Sequence, residues 1–242
     1  MLLQTLRAEG MKCRRNPVWL AFFILPVFPA VMGTFNYLGN LGVLQSQWYS
    51  LWSQHTLFAA VFFMPAQFGV FCAWQWRLEH SGHNWNGFLT APVPIRDLYW
   101  AKWLLCAGVS LLAQLCIGGL FLLCGKWAGI TALVPPELPG WLLLGALGGM
   151  VVCTVQLFLS LWIRSFAIPV GIGLLGGIGG LLLTSRGAAL YFPYSLLCLG
   201  MRANNPQMEL PLLPFLAACA IFIALFAWLS IRLLCRRDAV TG

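Results

Sequence analysis

The densest chemistry in the chain lies in one window, Arg77 to Trp100, which reads RLEHSGHNWNGFLTAPVPIRDLYW. Glu79, His80, His83, Asn84, Asn86 and Asp97 crowd it. A carboxylate with two imidazoles three apart holds zinc when all sit on one rigid helical face. Ser81-Gly82 argues against such a helix and no third strong ligand has zincin spacing, so the window reads as a solvated polar turn. Nine cysteines offer a second chemistry. No CxxC and no Cys/His cluster occurs along the chain, so each thiol is expected to pack as a small hydrophobe, and no metal site is expected. Other matches fail on context. Gly171, Gly173 and Gly176 spell GxGxxG inside an apolar run where no strand can precede a phosphate loop. Lys126 follows Gly125 without the glycine spacing or hydroxyl residue of a Walker motif, and neither a Ser/His/Asp set nor HExxH is present. The expectation is a protein without catalytic residues and without a cofactor of its own.

The elements that carry these residues are set by composition. Apolar residues make up 60% of the chain and charged ones 8%, with twelve Trp and seventeen Phe, whereas a soluble domain keeps roughly 25% charge. Hydropathy gives spans at about Val18 to Leu38, Leu57 to Trp76, Ala101 to Cys124, Trp141 to Ile163, Phe166 to Thr184 and Leu212 to Leu234. Each holds roughly 20 residues, enough to cross about 30 Å of hydrocarbon as a helix. The backbone must satisfy its own hydrogen bonds there, and the alternation of a barrel strand is missing, so the fold class is all-α, a polytopic six-helix membrane protein. The first run is long and lacks a small-x-small cleavage site, so it reads as a retained span. Placing the N-terminus inside puts Arg7, Lys12, Arg14, Arg15, Arg77, Arg96, Lys102, Arg164, Arg232, Arg236 and Arg237 on the cytoplasmic face and leaves only Lys126, Arg186 and Arg202 outside. That asymmetry predicts both termini in the cytoplasm of a plasma-membrane protein. The net charge of +8 is then a basic rim facing anionic lipid, with no nucleic-acid partner required.

The connections divide the chain into an interfacial segment 1–17, a transmembrane domain 18–234 with a cytoplasmic loop at 77–100, and a tail 235–242. Leu3, Leu6, Gly10 and Cys13 recur at helical spacing, as in a helix lying in the headgroup plane with its apolar side down. Asn16-Pro17 turns the chain into the bilayer. Trp48, Tyr49 and Trp52, in the uncharged connection Gly39 to Thr56, suit an outer aromatic belt, and His55 reads as a polar interface residue beside it. GxxxG pairs at Gly145/Gly149, Gly173/Gly177 and Gly176/Gly180 predict close helix packing. Gln67, Gln114 and Gln156 are the strongest polar groups inside the second to fourth spans and read as interhelical glue. Residues 185 to 211 contain an apolar run broken by Pro193, too short to cross, which predicts a re-entrant or interfacial segment on the outer face. Mid-span acids and bases of the kind that carry ions or protons are missing. A transporter without such groups is expected to receive its energy elsewhere, the obvious donor being an ATPase docked on the cytoplasmic side.

Two stretches carry a family resemblance. AEGMKCRRNPVW, with Glu9, Lys12, Arg14 and Arg15, resembles the acidic-x-x-Lys segment before the first span of ABC-2-type permeases. Glu79, Asn84-Trp85-Asn86, Ala91-Pro92-Val93-Pro94 and Tyr99-x-Ala101-Lys102 resemble the stretch after their second span. Within that family the chain is similar to the lantibiotic-immunity permeases of Gram-positive bacteria. The resemblance implies a coupling helix in the 77–95 loop, with Glu79, His80, Asn84 and Trp85 touching an ABC ATPase subunit that binds ATP and Mg. It implies two permease subunits, identical or similar, and an amphipathic cationic peptide as cargo, with Phe192, Pro193 and Tyr194 as contacts. A permease moving lipid, drug or glycan precursors is the alternative; a scaffold or an intramembrane enzyme fits the residues less well.

Overall fold

The computed structural model describes residues 1–14, 16–80 and 93–236. It is helical, with no strand among the described residues, and six helices are long and apolar enough to cross a bilayer. The first helix, α1 (Leu2–Cys13), precedes them. The first span is two pieces, α2 (Val18–Ile24) and α3 (Val27–Gly39), jointed at Pro26. The second is α4 (Trp48–Phe58), a π-helical turn (Ala59–Phe63) and α5 (Met64–His80). Pro65 has no N–H to give the Val61 carbonyl, which accounts for the widened turn there. The remaining spans are α6 (Ile95–Trp127), α7 (Leu138–Trp162), α8 (Ala167–Ser185) and α10 (Leu212–Cys235). A short helix, α9 (Ser195–Gly200), lies between the last two.

The second and fourth spans form the interior, with 67% and 61% of their apolar windows buried, whereas the fifth and sixth bury 28% and 22% and so present broad apolar faces outward. Glycine sets the spacing of α8 against its neighbours. On one face a Cβ at Gly173 would lie 2.7 Å from the Pro65 carbonyl oxygen, and one at Gly177 would strike the Val61 carbonyl that Pro65 leaves without its helical donor. On the other, Gly176 meets the Tyr194 ring and Gly180 the backbone at Ser195. In α7, Gly145 faces Gln114 and Met201, and Gly149 faces Ser110 and Phe68. These six glycines therefore pack helices within one chain.

The reading of the connection before the second span is corrected. The second span begins at Trp48, inside the supposed outer belt and about two and a half turns before Leu57, and Trp48 and Trp52 are 3% and 0% exposed. They are core residues because their indoles find partners there: Trp52 stacks on Trp141 at 5.2 Å and donates to the Met201 carbonyl, and Trp48 donates to that of Ala132. His55 is likewise buried, sharing a 2.8 Å hydrogen bond with Thr34. The buried line of α1 is Thr5, Glu9 and Cys13, while Leu3 is exposed. The helix thus turns a partly polar face to α6 and leaves Leu3 outward. The segment after the fifth span is folded onto α7: Leu196, Leu197 and Cys198 are buried, and Gly148 and Gly200 allow backbone contact between α9 and α7.

Within the glycine-rich helix the contacts differ residue by residue, since a Cβ at Gly171 meets nothing within 4 Å. Gly177→Ala is expected to lower stability by about 1–3 kcal/mol through overpacking, and Gly171→Ala to leave it unchanged. Thermal unfolding of the two variants in detergent checks this; equal effects would contradict the α8 packing described.

Candidate functional site

The second and third spans flank the 81–92 connection, and four charges at that end of the bundle are linked to one another. The Lys102 ammonium, 0% exposed, donates to Glu9 Oε2 (2.6 Å), Glu79 Oε1 (3.0 Å) and the Gln75 carbonyl (2.8 Å). These three acceptors satisfy the three protons of an ammonium. Its charge also lies 4.9 Å from the Trp76 ring centroid, within cation–π range. Lys12 donates to Glu79 Oε1 at 2.9 Å and to Glu9 Oε1. Two lysines and two carboxylates therefore make a neutral, buried cluster that joins α1 to α5 and α6. Helix α6 has 33 residues, about 50 Å of length against about 30 Å of hydrocarbon. Lys102, two turns from its start, thus sits near the edge of the apolar slab, where an unpartnered ammonium would be costly.

Burial alone would push the Glu79 carboxyl up, but the Lys102 and Lys12 charges and their hydrogen bonds outweigh it and hold Glu79 below its usual value. Burial works against the Lys12 ammonium too, and its hydrogen bond to Glu9 with the Glu79 charge raises it nonetheless. The Cys13 thiol, buried under the same cluster, is pushed up to about 11, first by burial and then by the Glu9 charge.

The residues expected to touch an ATPase separate. Glu79 is 3% exposed and committed to the lysines, so it is an internal joint and not a contact; its burial follows from α5 running on to His80 where a loop was expected. His80 is half-buried and shares a 3.0 Å hydrogen bond with the Ser160 carbonyl. It lines a cleft of about 290 Å³ with Arg77, Ser160, Arg164, Ser165 and Phe166, and the Arg77 guanidinium lies over the Phe166 ring. Asn84 and Trp85 fall outside the described residues.

Of the proposed cargo contacts, Tyr194 is corrected: it is 4% exposed and its hydroxyl accepts from Gln156 Nε2 at 2.9 Å. Phe192 and Pro193 are half-buried, and the exposed aromatic of that segment is Tyr191. Gln156 and Gln67, which donates to the Phe22 carbonyl, do glue helices, whereas the buried Gln114 amide has no hydrogen-bond partner among the described residues. Sequence spacing also missed a convergence of thiols. Cys72, Cys106 and Cys153, on α5, α6 and α7, bring their sulfurs within 4.8 Å of one another, which overturns the expectation of isolated cysteines. Cys198 is buried beside the Ala60 carbonyl.

Six apolar spans with an ion cluster at one end describe a multi-pass membrane protein. The sequence profile of the ABC-2 family transporter proteins matches residues 5–180, and the chain belongs to that family. It is thus a membrane permease of an ABC transporter, and membership implies an ABC ATPase partner. Curated proteins yield no significant match to the chain.

Lys102→Met leaves two buried carboxylates with one half-exposed lysine and is expected to destabilise the protein by about 3–5 kcal/mol. The pH response has a definite sign. Glu79 is lowered in the folded state, so its contribution is complete above the ordinary carboxylate value and is lost as pH falls through the lowered one. Lys12 is raised, so its contribution is complete below its ordinary value of 10.5 and is lost as pH rises through the raised one. The stability gap between wild type and Glu79→Gln, followed by thermal unfolding, should therefore be constant near neutrality and narrow below about pH 4.5. A gap independent of pH down to the acid limb would contradict the assignment.

Proposed function

We propose that this chain is the permease of an exporter that expels a lantibiotic or similar cationic antimicrobial peptide from the membrane of a Gram-positive cell, giving self-immunity. The observation that carries the transport half of this reading is the buried Glu9–Lys102–Glu79–Lys12 cluster. It ties the first helix to the two spans that flank the 81–92 connection, so a push on that connection turns α1, α5 and α6 together. An ATPase closing on Asn84 and Trp85 would deliver the push, and the cleft at His80, Arg77 and Arg164 offers a basic, partly polar seat beside it. The excess of Lys and Arg at this end supports a cytoplasmic orientation, with both termini inside. The outward apolar faces of α8 and α10 suit a second permease subunit, identical or similar.

The peptide cargo rests on the likeness of the N-terminal and second-loop motifs to immunity permeases. An amphipathic peptide suits a route with apolar walls, and the half-buried Phe192 and Pro193 with the exposed Tyr191 form the aromatic surface it would meet. A lipid, drug or glycan precursor is the competing cargo.

Two measurements test this. An ABC ATPase subunit should copurify with the chain, and Trp85→Ala should reduce the recovered ATPase severalfold; undiminished recovery would contradict the coupling assignment. Expression of the permeases with that ATPase in a sensitive Gram-positive host should raise the tolerated concentration of a cationic lantibiotic severalfold and leave tolerance unchanged when the ATPase is catalytically dead. An unchanged tolerance across a panel of such peptides would remove the immunity reading.

A further inference from the structure

The three sulfurs of Cys72, Cys106 and Cys153 come from three different helices, α5, α6 and α7, and each residue is at most 1% exposed. Cys72 Sγ and Cys106 Sγ are 3.6 Å apart, and all three sulfurs lie within 4.8 Å of one another. A metal held trigonally by three sulfurs at about 2.3 Å requires sulfur–sulfur separations of about 4.0 Å, between those two values. The surroundings are also suited to thiolates. Gln75, 3% exposed, directs its Nε2 at Cys106 Sγ at 2.9 Å, and its Oε1 has no partner among the described residues. Lys102 lies one turn from Cys106 on α6, so a cation stands on the same helical face. Apolar packing of thiols explains burial of each cysteine separately; it does not require three to meet, or a buried amide to spend a donor on sulfur.

We propose that Cys72, Cys106 and Cys153 form a trigonal thiolate site for a soft monovalent cation of the Cu(I) class. Thiolate ligands select soft ions, and three sulfurs without a fourth ligand match a three-coordinate ion better than tetrahedral zinc. The ion enters as Cu(I), so no electron is transferred; each sulfur that becomes a thiolate releases its proton to solvent as the metal–sulfur bond forms. Gln75 holds the Cys106 sulfur by its N–H. Its backbone carbonyl also accepts from Lys102, so the site adjoins the ion cluster, and an occupied site clamps α5, α6 and α7 directly beneath it. The proposal is independent of the cargo.

The test uses the full chain, reduced and in lipid nanodiscs under nitrogen, titrated with Cu(I) against a chromogenic Cu(I) chelator. The expected result is one ion per chain, a concentration-dependent rise in unfolding temperature, and an X-ray absorption signature of three sulfurs at about 2.3 Å. Cys72→Ser, Cys106→Ser and Cys153→Ser should each weaken binding more than Gln75→Leu, for which a loss of about 10- to 100-fold is expected, and Cys116→Ser with Cys124→Ser should leave it unchanged. Failure of the wild-type chain to take up one ion, fewer than three sulfur neighbours, tighter binding of Zn(II) than of Cu(I), or uptake that survives the triple substitution would each overturn the proposal. The wild-type stoichiometry and spectrum decide it even where a serine variant fails to fold.

Discussion

Two lysines and two glutamates, almost fully enclosed apart from Lys12, hold one end of this bundle together. Such a cluster is an expensive way to gain stability, because removing four charges from water costs several kcal/mol per ion before any attraction is counted. What it provides is specificity of position. Lys102 has three donors and three acceptors at fixed distances, one on α1, one on the α5 backbone and one on the α5 side chain. A sliding of α1 or a rotation of α5 strands a charge in an apolar setting, so the three elements move as one body or not at all. Elsewhere the helices meet through apolar packing and single hydrogen bonds such as Thr34–His55 and Gln156–Tyr194.

The rest of the fold keeps this joint connected to the opposite end. Helix α5 continues through the π turn at Ala59–Phe63 into α4, so motion at Glu79 reaches the Trp52, Trp141 and Phe121 aromatic cluster along one backbone. Alongside it, α8 is fitted to α5 by Gly173 and Gly177 and to the α9 segment by Gly176 and Gly180. Close backbone packing of this kind transmits displacement with little slack, because lipid supplies no hydrophobic drive between helices and the contact itself is the main attraction. The outer spans, by contrast, bury little within the chain, which leaves their faces for lipid or for another subunit.

Much of this was legible in the residues. Span number and helical class follow from hydropathy alone, because the length needed to cross hydrocarbon is fixed. The glycines at Gly173 and Gly177 marked close approach, although only the fold says that the partner is the carbonyl exposed by Pro65. The aromatic belt was misread because Trp48 and Trp52 have the same residue type whether they face headgroups or a protein interior; the deciding feature is a carbonyl, on Ala132 or Met201, far along the chain. The site was legible only in part. Glu9, Lys12, Glu79 and Lys102 stood out as family-pattern residues, but Glu79 was assigned to a surface because its polarity and the glycine after Ser81 suggested a loop. Its true surroundings depend on Lys102, 23 positions away, and on α1, 67 or more positions away. The three cysteines illustrate the same limit, since metal spacing is recognisable in sequence only when ligands share one short segment.

The central claim is that the cluster acts as a single unit, and a double-mutant cycle on Glu9→Gln and Lys102→Met, read by thermal unfolding at neutral pH, tests it most directly. The account predicts that the double variant loses less stability than the two single variants together, by at least about 1 kcal/mol of coupling. Losses that simply add would show that α1 and α6 are held by independent contacts and would contradict it.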